Sequence, residues 1–533
     1  MQDLSIKRLD HLGLVAATVD EIGLVDMINK FLGKEEDEVL SKGQAVKSMI
    51  LNGLGFTETP LYLTPEFFDE VPVETLVSPK VSHEHINRHK LGRVLDQIHE
   101  FGCEKIFLAL AQKAHEVEKF DCSAVIGDTT THSITGRGYE DCDEHEIQIT
   151  KGYSKDHRPD LRQIVSELVV SHDEGIPLIF QNHSGNESDI VIFKERCKEL
   201  KNQFFFSQKT TWIVDSKGYT KEACESLKDI YFATRIPENI SQAKEFIRQD
   251  HKFISQEQWH IAEERVEHYG IDQKWLCAYS DEGLQRASKS VQKRKIKEFE
   301  YLESDLFHLQ AQRFSCARDA QSALNKVSKK LKYHEIGSTQ ILVHKKRKGR
   351  GRPKIDAAFE ASYQIKADIQ ELAGAVEKEA LAKAKFIIGS NRIDLNGFEI
   401  LKLYKKQGSV ERGFRFLKDP HYFVSSLFLK KTARIEALLL VMTLALLVYS
   451  ITQRKIRKAL KEKNETIPDQ IRKPSSTPTT RRVYQLFYGV NIVSYRLEDK
   501  KYKMINGMND LRLKIIELLG GRYESIYKSY KYG

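Results

Sequence analysis

The pattern between residues 121 and 236 constrains the fold more than any other part of the chain. Short apolar runs typical of strands alternate there with segments of helical spacing. The predicted strands lie at 124–126, 168–170, 177–180, 211–215 and 230–233, and the predicted helices cover 187–204 and a piece that ends at 227. Three strands, a helix, a strand, a helix and a strand predict a mixed α/β sheet.

The chain's 533 residues are enough for several folding units. We predict five regions from the changes in pattern along the chain. They are a helical N-terminal domain (1–120), the first part of the core (121–236), an insertion with a basic arm (237–384), the second part of the core (385–455) and a basic C-terminal region (456–533). The insertion is expected to be largely helical, because a long, charged, helix-favouring stretch covers 284–333.

The positive charge of the chain is concentrated near its C-terminus. The net charge is +9, but residues 401–533 carry +17 whereas residues 1–120 carry −7. This asymmetry indicates that the C-terminal part faces a polyanion, with nucleic acid as the leading partner. A basic surface that serves only solubility remains the alternative.

The cysteine content indicates a reducing compartment. The seven cysteines form no C-x-x-C pair, so neither a disulfide framework nor a four-thiolate zinc site is suggested. The chain opens without a basic segment followed by an apolar one, and we expect a cytoplasmic, nucleoid-associated protein.

The uncharged run over 437–453 has two interpretations. Its 17 residues are at the short limit for crossing a bilayer. Charged residues precede the run and a basic stretch follows it, so we favour a fully buried helix and no membrane partner.

Two aspartates end predicted strands. Asp128 follows one apolar run and Asp215 ends another, which would expose both carboxylates at one sheet edge. Strand-terminal Asp is also an ordinary turn former, so either aspartate alone is weak evidence.

A third carboxylate lies in a segment with helical spacing. At about 100° per residue, Tyr404, Gln407, Glu411 and Lys418 fall within roughly 60° of one another on a helix, with Arg415 close beside them. One helical face would therefore present a hydroxyl, an amide, a carboxylate and an ammonium.

Three carboxylates that converge from two strands and a helix would form a hard-oxygen site suited to Mg²⁺ or Mn²⁺. Such a site permits two-metal phosphoryl transfer, and the flanking cations would hold DNA phosphates. The sequence therefore predicts metal-dependent chemistry on a phosphodiester.

These anchors, together with the segment 152–163 (GYSKDHRPDLRQ), resemble the DDE transposases of bacterial insertion sequences. More narrowly, the chain is similar to the subgroup marked by the YREK signature, Y-(2)-R-(3)-E-(6)-K. The resemblance implies an RNase H-like core in which Asp128, Asp215 and Glu411 are the catalytic metal ligands. It also implies an insertion before Glu411, and a homodimer that binds terminal inverted repeats and target DNA.

The resemblance also assigns roles around Glu411. Tyr404 and Lys418 match the signature's Tyr and Lys, which contact DNA phosphates near the cleaved strand. Gln407 stands where the family has Arg, so one charged phosphate contact is missing from the pattern. Arg415 is our candidate for a substitute, with Lys406 as the alternative.

Two further DNA contacts are hypotheses. Some members of the family stack an aromatic residue of the insertion on a flipped base, and Trp275 is the candidate, against the alternative of a buried strand tryptophan. Arg350 and Arg352 lie in an Arg-Gly-Arg-Pro motif that enters A·T-rich minor grooves in AT-hooks. A solvated basic loop that binds phosphates without selection is the alternative there.

The function predicted from these features is cut-and-paste transposition of an insertion sequence, by metal-dependent nicking and transfer of 3′-hydroxyl ends at terminal inverted repeats. Two alternatives stay open. One is an RNase H-like nuclease without strand transfer, and the other is a catalytically inert, transposase-derived DNA-binding regulator.

Overall fold

A nine-stranded mixed sheet forms the centre of the protein. The structure is a computed structural model that describes residues 2–56, 63–135, 147–347, 359–419, 431–497, 500–528 and 531–532. Its strands are β1 (Gln2–Arg8), β2 (Ala124–Ile134), β3 (Arg162–Ser171), β4 (Pro177–His183), β5 (Thr211–Val214), β6 (Tyr231–Arg235), β7 (Ile254–Gln256), β8 (Trp259–His268), β9 (Ile271–Ser280), β10 (His334–Arg347), β11 (Phe359–Glu371), β12 (Phe386–Ser390), β13 (Ile467–Pro468), β14 (Pro474–Ser475), β15 (Asn491–Leu497), β16 (Lys500–Asn506) and β17 (Lys531–Tyr532).

Helices cover the faces of the sheet and form most of the two ends of the chain. They are α1 (Leu12–Glu21), α2 (Leu24–Leu32), α3 (Lys42–Gly53), α4 (Thr64–Asp69), α5 (Val73–Leu76), α6 (Arg88–Phe101), α7 (Cys103–Glu118), α8 (Asp189–Leu200), α9 (Lys221–Leu227), α10 (Ser241–Arg248), α11 (Asp281–Ala311), α12 (Ala317–Ser328), α13 (Ala375–Ala384), α14 (Gly397–Tyr404), α15 (Gly408–Lys418), α16 (Thr432–Glu462), α17 (Thr480–Leu486), α18 (Asp510–Leu519) and α19 (Gly521–Tyr527). Short 3₁₀ helices lie at His83–His85, Ser216–Gly218 and Lys405–Gln407.

The strand order of the main sheet is β4-β3-β2-β5-β6-β12-β9-β8-β7. Strands β2, β5 and β6 run parallel, whereas β3 and β4 continue the sheet antiparallel on the other side of β2. All five strands predicted between residues 121 and 236 are present, and the predicted mixed α/β class is confirmed.

The insertion differs from its predicted, largely helical character. Its first part supplies the short helix α10 and the strands β7, β8 and β9, which extend the main sheet through β12. Its second part contains α11, α12 and α13 around the β10–β11 hairpin. Strand β8 escapes a sequence search for apolar runs because most of its side chains are exposed or half-buried. The many charged residues of β8 are as common on the exposed face of a helix as in a strand, so composition does not identify it as a strand.

The uncharged run lies in α16, whose apolar part is largely buried. This helix is long and apolar enough to cross a membrane, but 83% of its apolar window is buried inside the protein. It packs against α1, α3, α6, α7 and β4. The prediction of a buried helix is therefore confirmed, because the chain's own side chains cover its apolar surface.

The two ends of the chain meet in one hydrophobic core. Strand β1 pairs with β15, and α19 packs on α1. Gly13 permits this approach, since a Cβ there would lie 2.6 Å from the ring of Tyr527. The hydroxyl of Tyr523 lies 2.9 Å from Oγ1 of Thr18, which is also 2.9 Å from Oγ1 of Thr452 in α16.

His11 is buried at the same junction. Its Nε2 lies 2.7 Å from the carbonyl oxygen of Leu54, and its ring stacks on Tyr484 with centroids 4.5 Å apart. Burial lowers the pKa of His11 to about 4, because the charged imidazolium would lose its hydration there.

We predict that His11 makes the fold acid-sensitive. Between pH 6.5 and about 4 the unfolded chain binds a proton at this position that the folded chain does not, so stability is complete above pH 6.5 and decreases as the pH falls. The free energy of unfolding should decrease by about 2–3 kcal/mol more in wild type than in His11→Phe between pH 7 and pH 4. Urea unfolding at several pH values measures this difference, and identical pH dependence in the two proteins would contradict it.

Candidate active site

Two of the predicted catalytic carboxylates lie at corresponding positions of neighbouring strands. Parallel pairing of β2 with β5 sets Val125 against Trp212 and Ile126 against Ile213. Continued for two residues, this register brings Asp128 beside Asp215, which directly follows β5. Asp215 ends its strand as predicted, but Asp128 does not, because β2 continues through the polar residues after it to Ile134. The backbone N–H of Thr129 donates to Oδ1 of Asp128 at 2.7 Å, and that of Ser216 donates to Oδ1 of Asp215 at 2.6 Å.

The surroundings of Asp128 combine burial with mixed charges. Burial raises the pKa of Asp128, and the carboxylates of Asp215 and Asp189 act in the same direction. Lys155 and the Thr129 N–H oppose them by stabilising the charged form. The aspartate pair therefore favours a cation, because a positive charge would relieve the repulsion between its members.

Lys155 is the cation nearest to Asp128 in the described part of the chain. Its Nζ lies 3.8 Å from Oδ1 of Asp128 and 3.0 Å from Oδ2 of Asp189, and it donates to the carbonyl oxygen of Thr129 at 2.8 Å. The sequence search did not select Lys155 or Asp189. Lys155 lies within the segment 152–163 on which the family resemblance is based, and this position could have identified it as a site residue.

The third predicted carboxylate lies on a helix that differs from its predicted form. Residues 404–418 do not form one regular α-helix, because the 3₁₀ turn Lys405–Gln407 separates α14 from α15. A 3₁₀ turn advances by about 120° per residue instead of 100°, so it rotates Tyr404 relative to Glu411. The side chains of residues 404–418 therefore do not share one helical face as expected.

Helix α15 packs on the sheet face onto which Asp128 projects. A Cβ on Gly413 would lie 3.0 Å from the side chain of Leu168, the residue that pairs with Asp128 across β2 and β3. Directly paired residues of neighbouring strands project to the same face. Glu411, which is exposed, is therefore carried by the helix that covers the aspartates' face.

Tyr404 connects the two parts of the site. Burial raises the pKa of Tyr404 to about 12, and the nearby carboxylates of Asp215 and Glu411 act in the same direction against Arg235. The tyrosine hydroxyl therefore lies within electrostatic range of both the second and the third carboxylate.

The three carboxylates are not assembled into one ligand set. Among the residues that the structure describes, no three His, Cys, Asp or Glu side chains are close enough to hold one metal ion. The donors present still match magnesium chemistry, because Mg²⁺ is often bound through one or two carboxylates, water and substrate phosphates. Asp128 and Asp215 supply such oxygen donors.

The other predicted contacts differ in accessibility. Lys418 donates to Oδ1 of Asp156 at 2.7 Å, so the helix reaches the segment 152–163, and Arg415 is exposed on α15. Gln407 is half-buried at the end of the 3₁₀ turn. Trp275 is wholly buried in β9 and donates to Oε1 of Gln273 at 3.2 Å, which agrees with the packing alternative. Arg350 and Arg352 lie outside the described residues.

A cavity of about 200 Å³ adjoins the aspartate pair. Charged side chains line it together with apolar side chains of β5, α8 and α9, including Phe193, Trp212 and Val214. The cavity provides a partly enclosed volume beside the carboxylates.

A buried ion cluster fixes α8 to the sheet beneath this cavity. Arg196 donates to both carboxylate oxygens of Glu167 at 2.9 Å, and Nε2 of His183 lies 3.3 Å from the same carboxylate. Burial alone would raise the pKa of Glu167, but the hydrogen bonds from His183 and Arg196 outweigh it and lower the pKa. The cluster positions the helix that begins with Asp189.

Comparisons with known proteins add a match for the N-terminal region. Residues 4–112 match the model of a domain of unknown function (DUF4277). No curated protein is significantly similar to the chain in sequence. A solved structure, the "Cryo-EM structure of piggyBac transposase synaptic complex with hairpin DNA", aligns over 91% of this chain and 82% of that chain, with 9% identity and a TM-score of 0.37. A similarity this low does not establish a shared fold.

We predict that Arg196→Met strongly destabilises the protein. The substitution leaves the Glu167 carboxylate buried without its guanidinium partner, which should lower the free energy of unfolding by about 3–5 kcal/mol. Lys194→Met is the matched control on the same helix, because Lys194 pairs with the exposed Glu222. Chemical denaturation measures both variants, and equal effects would contradict the proposed importance of burial.

Proposed function

We propose that this protein is a DDE transposase that excises a DNA element at its terminal inverted repeats and joins the 3′-hydroxyl ends to target DNA. The observation that carries the proposal is the placement of Asp128, within β2, beside Asp215, which directly follows the neighbouring parallel strand β5. A helix with a third carboxylate, Glu411, covers the same face.

The proposed core is RNase H-like. Its support is the order of β4, β3, β2, β5 and β6, in which three antiparallel strands are followed by two parallel ones, and the carboxylate-bearing helix comes later in the chain. The insertion separates that helix from the first five strands in sequence but not in space. The YREK-type resemblance supports the same assignment through Tyr404, Glu411 and Lys418.

Mg²⁺ or Mn²⁺ is the proposed cofactor, with Asp128 and Asp215 as its ligands and Glu411 joining them in the DNA complex. When bound, the metal would activate the attacking oxygen and stabilise the leaving one. The exposed position of Glu411 on α15 is compatible with this role, because its carboxylate is accessible to an incoming substrate.

The chain's own cations are proposed to hold the DNA backbone. Arg415 is exposed on α15, and Lys418 lies on the same helix at the segment 152–163. In this proposal Arg415 replaces the phosphate contact that the family makes with the Arg at the position of Gln407. The basic C-terminal region adds charge, so DNA affinity should decrease steeply with salt.

A homodimer on double-stranded DNA and a cytoplasmic, nucleoid-associated location complete the proposal. The homodimer follows from the resemblance, and the location follows from the cysteine content, which indicates a reducing compartment. Pairing of two DNA ends by one assembly requires at least two copies of a single active site, which a dimer provides.

We predict that Asp215→Asn and Glu411→Gln abolish cleavage of a labelled duplex that carries the terminal repeat of the flanking element, in the presence of Mg²⁺. The rate should decrease about a thousandfold or more, while binding of the same duplex persists. Asp229→Asn is the matched control, because Asp229 forms only a surface pair with Lys201 among its described ion pairs.

The products of that reaction separate the alternatives. Cleavage with joining of the ends agrees with a transposase, whereas cleavage without joining indicates a nuclease. If wild type binds the duplex but cuts nothing, the protein is an inert DNA-binding regulator and the catalytic assignment is wrong.

We predict that Arg415→Ala lowers both end cleavage and the salt dependence of DNA binding, by about one unit in the slope of log K against log salt. Arg412→Ala is the matched control, since the Arg412 guanidinium donates to Ser409 within its own helix at 2.8 Å. Unchanged cleavage and slope in Arg415→Ala would show that Gln407 has no substitute at this position.

A further inference from the structure

Lys155 places a positive charge beside Asp128, one member of the aspartate pair. Its ammonium lies between the carboxylates of Asp128 and Asp189, at 3.8 Å and 3.0 Å. Thr129 connects all three groups. Its N–H donates to Asp128, its hydroxyl donates to Asp189 at 2.6 Å, and its carbonyl oxygen accepts from Lys155 at 2.8 Å.

The backbone around Lys155 holds the side chain in this place. The N–H of Lys155 donates to Oγ1 of Thr131 at 3.1 Å, and the N–H of Arg158 donates to Oγ of the buried Ser154 at 3.1 Å. The lysine side chain is only 22% exposed. The hydrogen bond from its backbone to Thr131 of β2 therefore holds Lys155 in place, unlike an unrestrained surface lysine.

The Lys155 ammonium lies at different distances from its two acidic partners, Asp128 and Asp189. Lys155 is closer to Asp189 than to Asp128 and is hydrogen-bonded to the Thr129 backbone. It can therefore retain its stronger contacts while Asp128 turns to another cation. Its charge nevertheless stays close to Asp128, where it repels any divalent ion that Asp128 binds.

We propose that Lys155 is a positioning residue that sets the metal affinity of the active site. In the metal-free protein its ammonium neutralises the Asp128 and Asp189 carboxylates, and it competes electrostatically with the divalent ion for Asp128. This inference rests on the proposed function, because it concerns the same aspartate pair. The consequence is a site that binds metal weakly until a substrate phosphate supplies further negative charge and oxygen ligands.

The test is titration of the metal-free, full-length protein with Mn²⁺ alone, followed by the electron paramagnetic resonance signal of free Mn²⁺. Lys155→Met should bind Mn²⁺ about tenfold more tightly than wild type, because a repelling charge is removed from the neighbourhood of Asp128. Lys155→Gln is a second variant that retains a donor for the Thr129 carbonyl oxygen and should show the same increase. Lys155→Arg, which retains the charge, should bind as wild type does.

Two controls separate this inference from the function on which it rests. Lys194→Met removes one positive charge from α8, the helix that begins with Asp189, but from a pair with Glu222, and should leave Mn²⁺ affinity unchanged. Asp215→Ala should weaken Mn²⁺ binding if the aspartate pair is the metal site.

Each outcome has one meaning. If Asp215→Ala weakens Mn²⁺ binding but Lys155→Met and Lys155→Gln bind no more tightly than wild type, the role of Lys155 is overturned and the proposed metal site stands. If Asp215→Ala binds Mn²⁺ as wild type does, the metal site of the proposed function fails, and the role of Lys155 fails with it.

Discussion

The parallel pairing of β2 with β5 is the constraint on which the candidate site depends. Three residue pairs set the register, and that register continues to Asp128 and Asp215. A shift by one residue would project one of the two carboxylates to the opposite face of the sheet, because side chains alternate along a strand. Trp212 and Ile213 are buried on opposite faces of the sheet, so such a shift would exchange their surroundings and disrupt the packing on both faces.

The buried helix α16 connects this sheet with the two ends of the chain. Helix α15, which carries Glu411, packs between the sheet and α16, and a Cβ on Gly413 would approach Leu446 of α16 to 3.4 Å. On its other sides α16 contacts the N-terminal helices and the C-terminal α18. The position of the third carboxylate therefore depends on a core to which residues from both termini contribute.

Electrostatics within the site are organised around Asp128. Burial and two neighbouring carboxylates disfavour its charged form, whereas Lys155 and the Thr129 N–H favour it. The buried cluster of Glu167, Arg196 and His183 holds α8, and with it Asp189, against the sheet. The site thus has its charges placed before any ligand arrives, which reduces the reorganisation that binding requires.

Much of the fold could be predicted from local patterns. The apolar runs before Asp128 and Asp215 predicted the start of β2 and all of β5, and the uncharged run predicted a buried or membrane helix. The polar second half of β2 was not predicted, because its composition resembles a turn. Strand β8 was not, because its exposed side chains conceal it. The 3₁₀ turn at Lys405–Gln407 was not either, since its helical spacing is nearly that of an α-helix.

The sequence by itself determined the chemistry available at the site: two aspartates that follow apolar runs, a glutamate in a segment of helical spacing and an excess of cations near the C-terminus. Only the tertiary structure decided which of these groups meet. Within the described residues, it brings Asp128 beside Asp215, places Lys155 next to Asp128 and Asp189, and leaves Glu411 outside a common ligand set. The reason is physical. Residue types and spacing follow from local sequence, but distances between segments far apart in the chain follow from strand register and helix packing, which the whole core sets together.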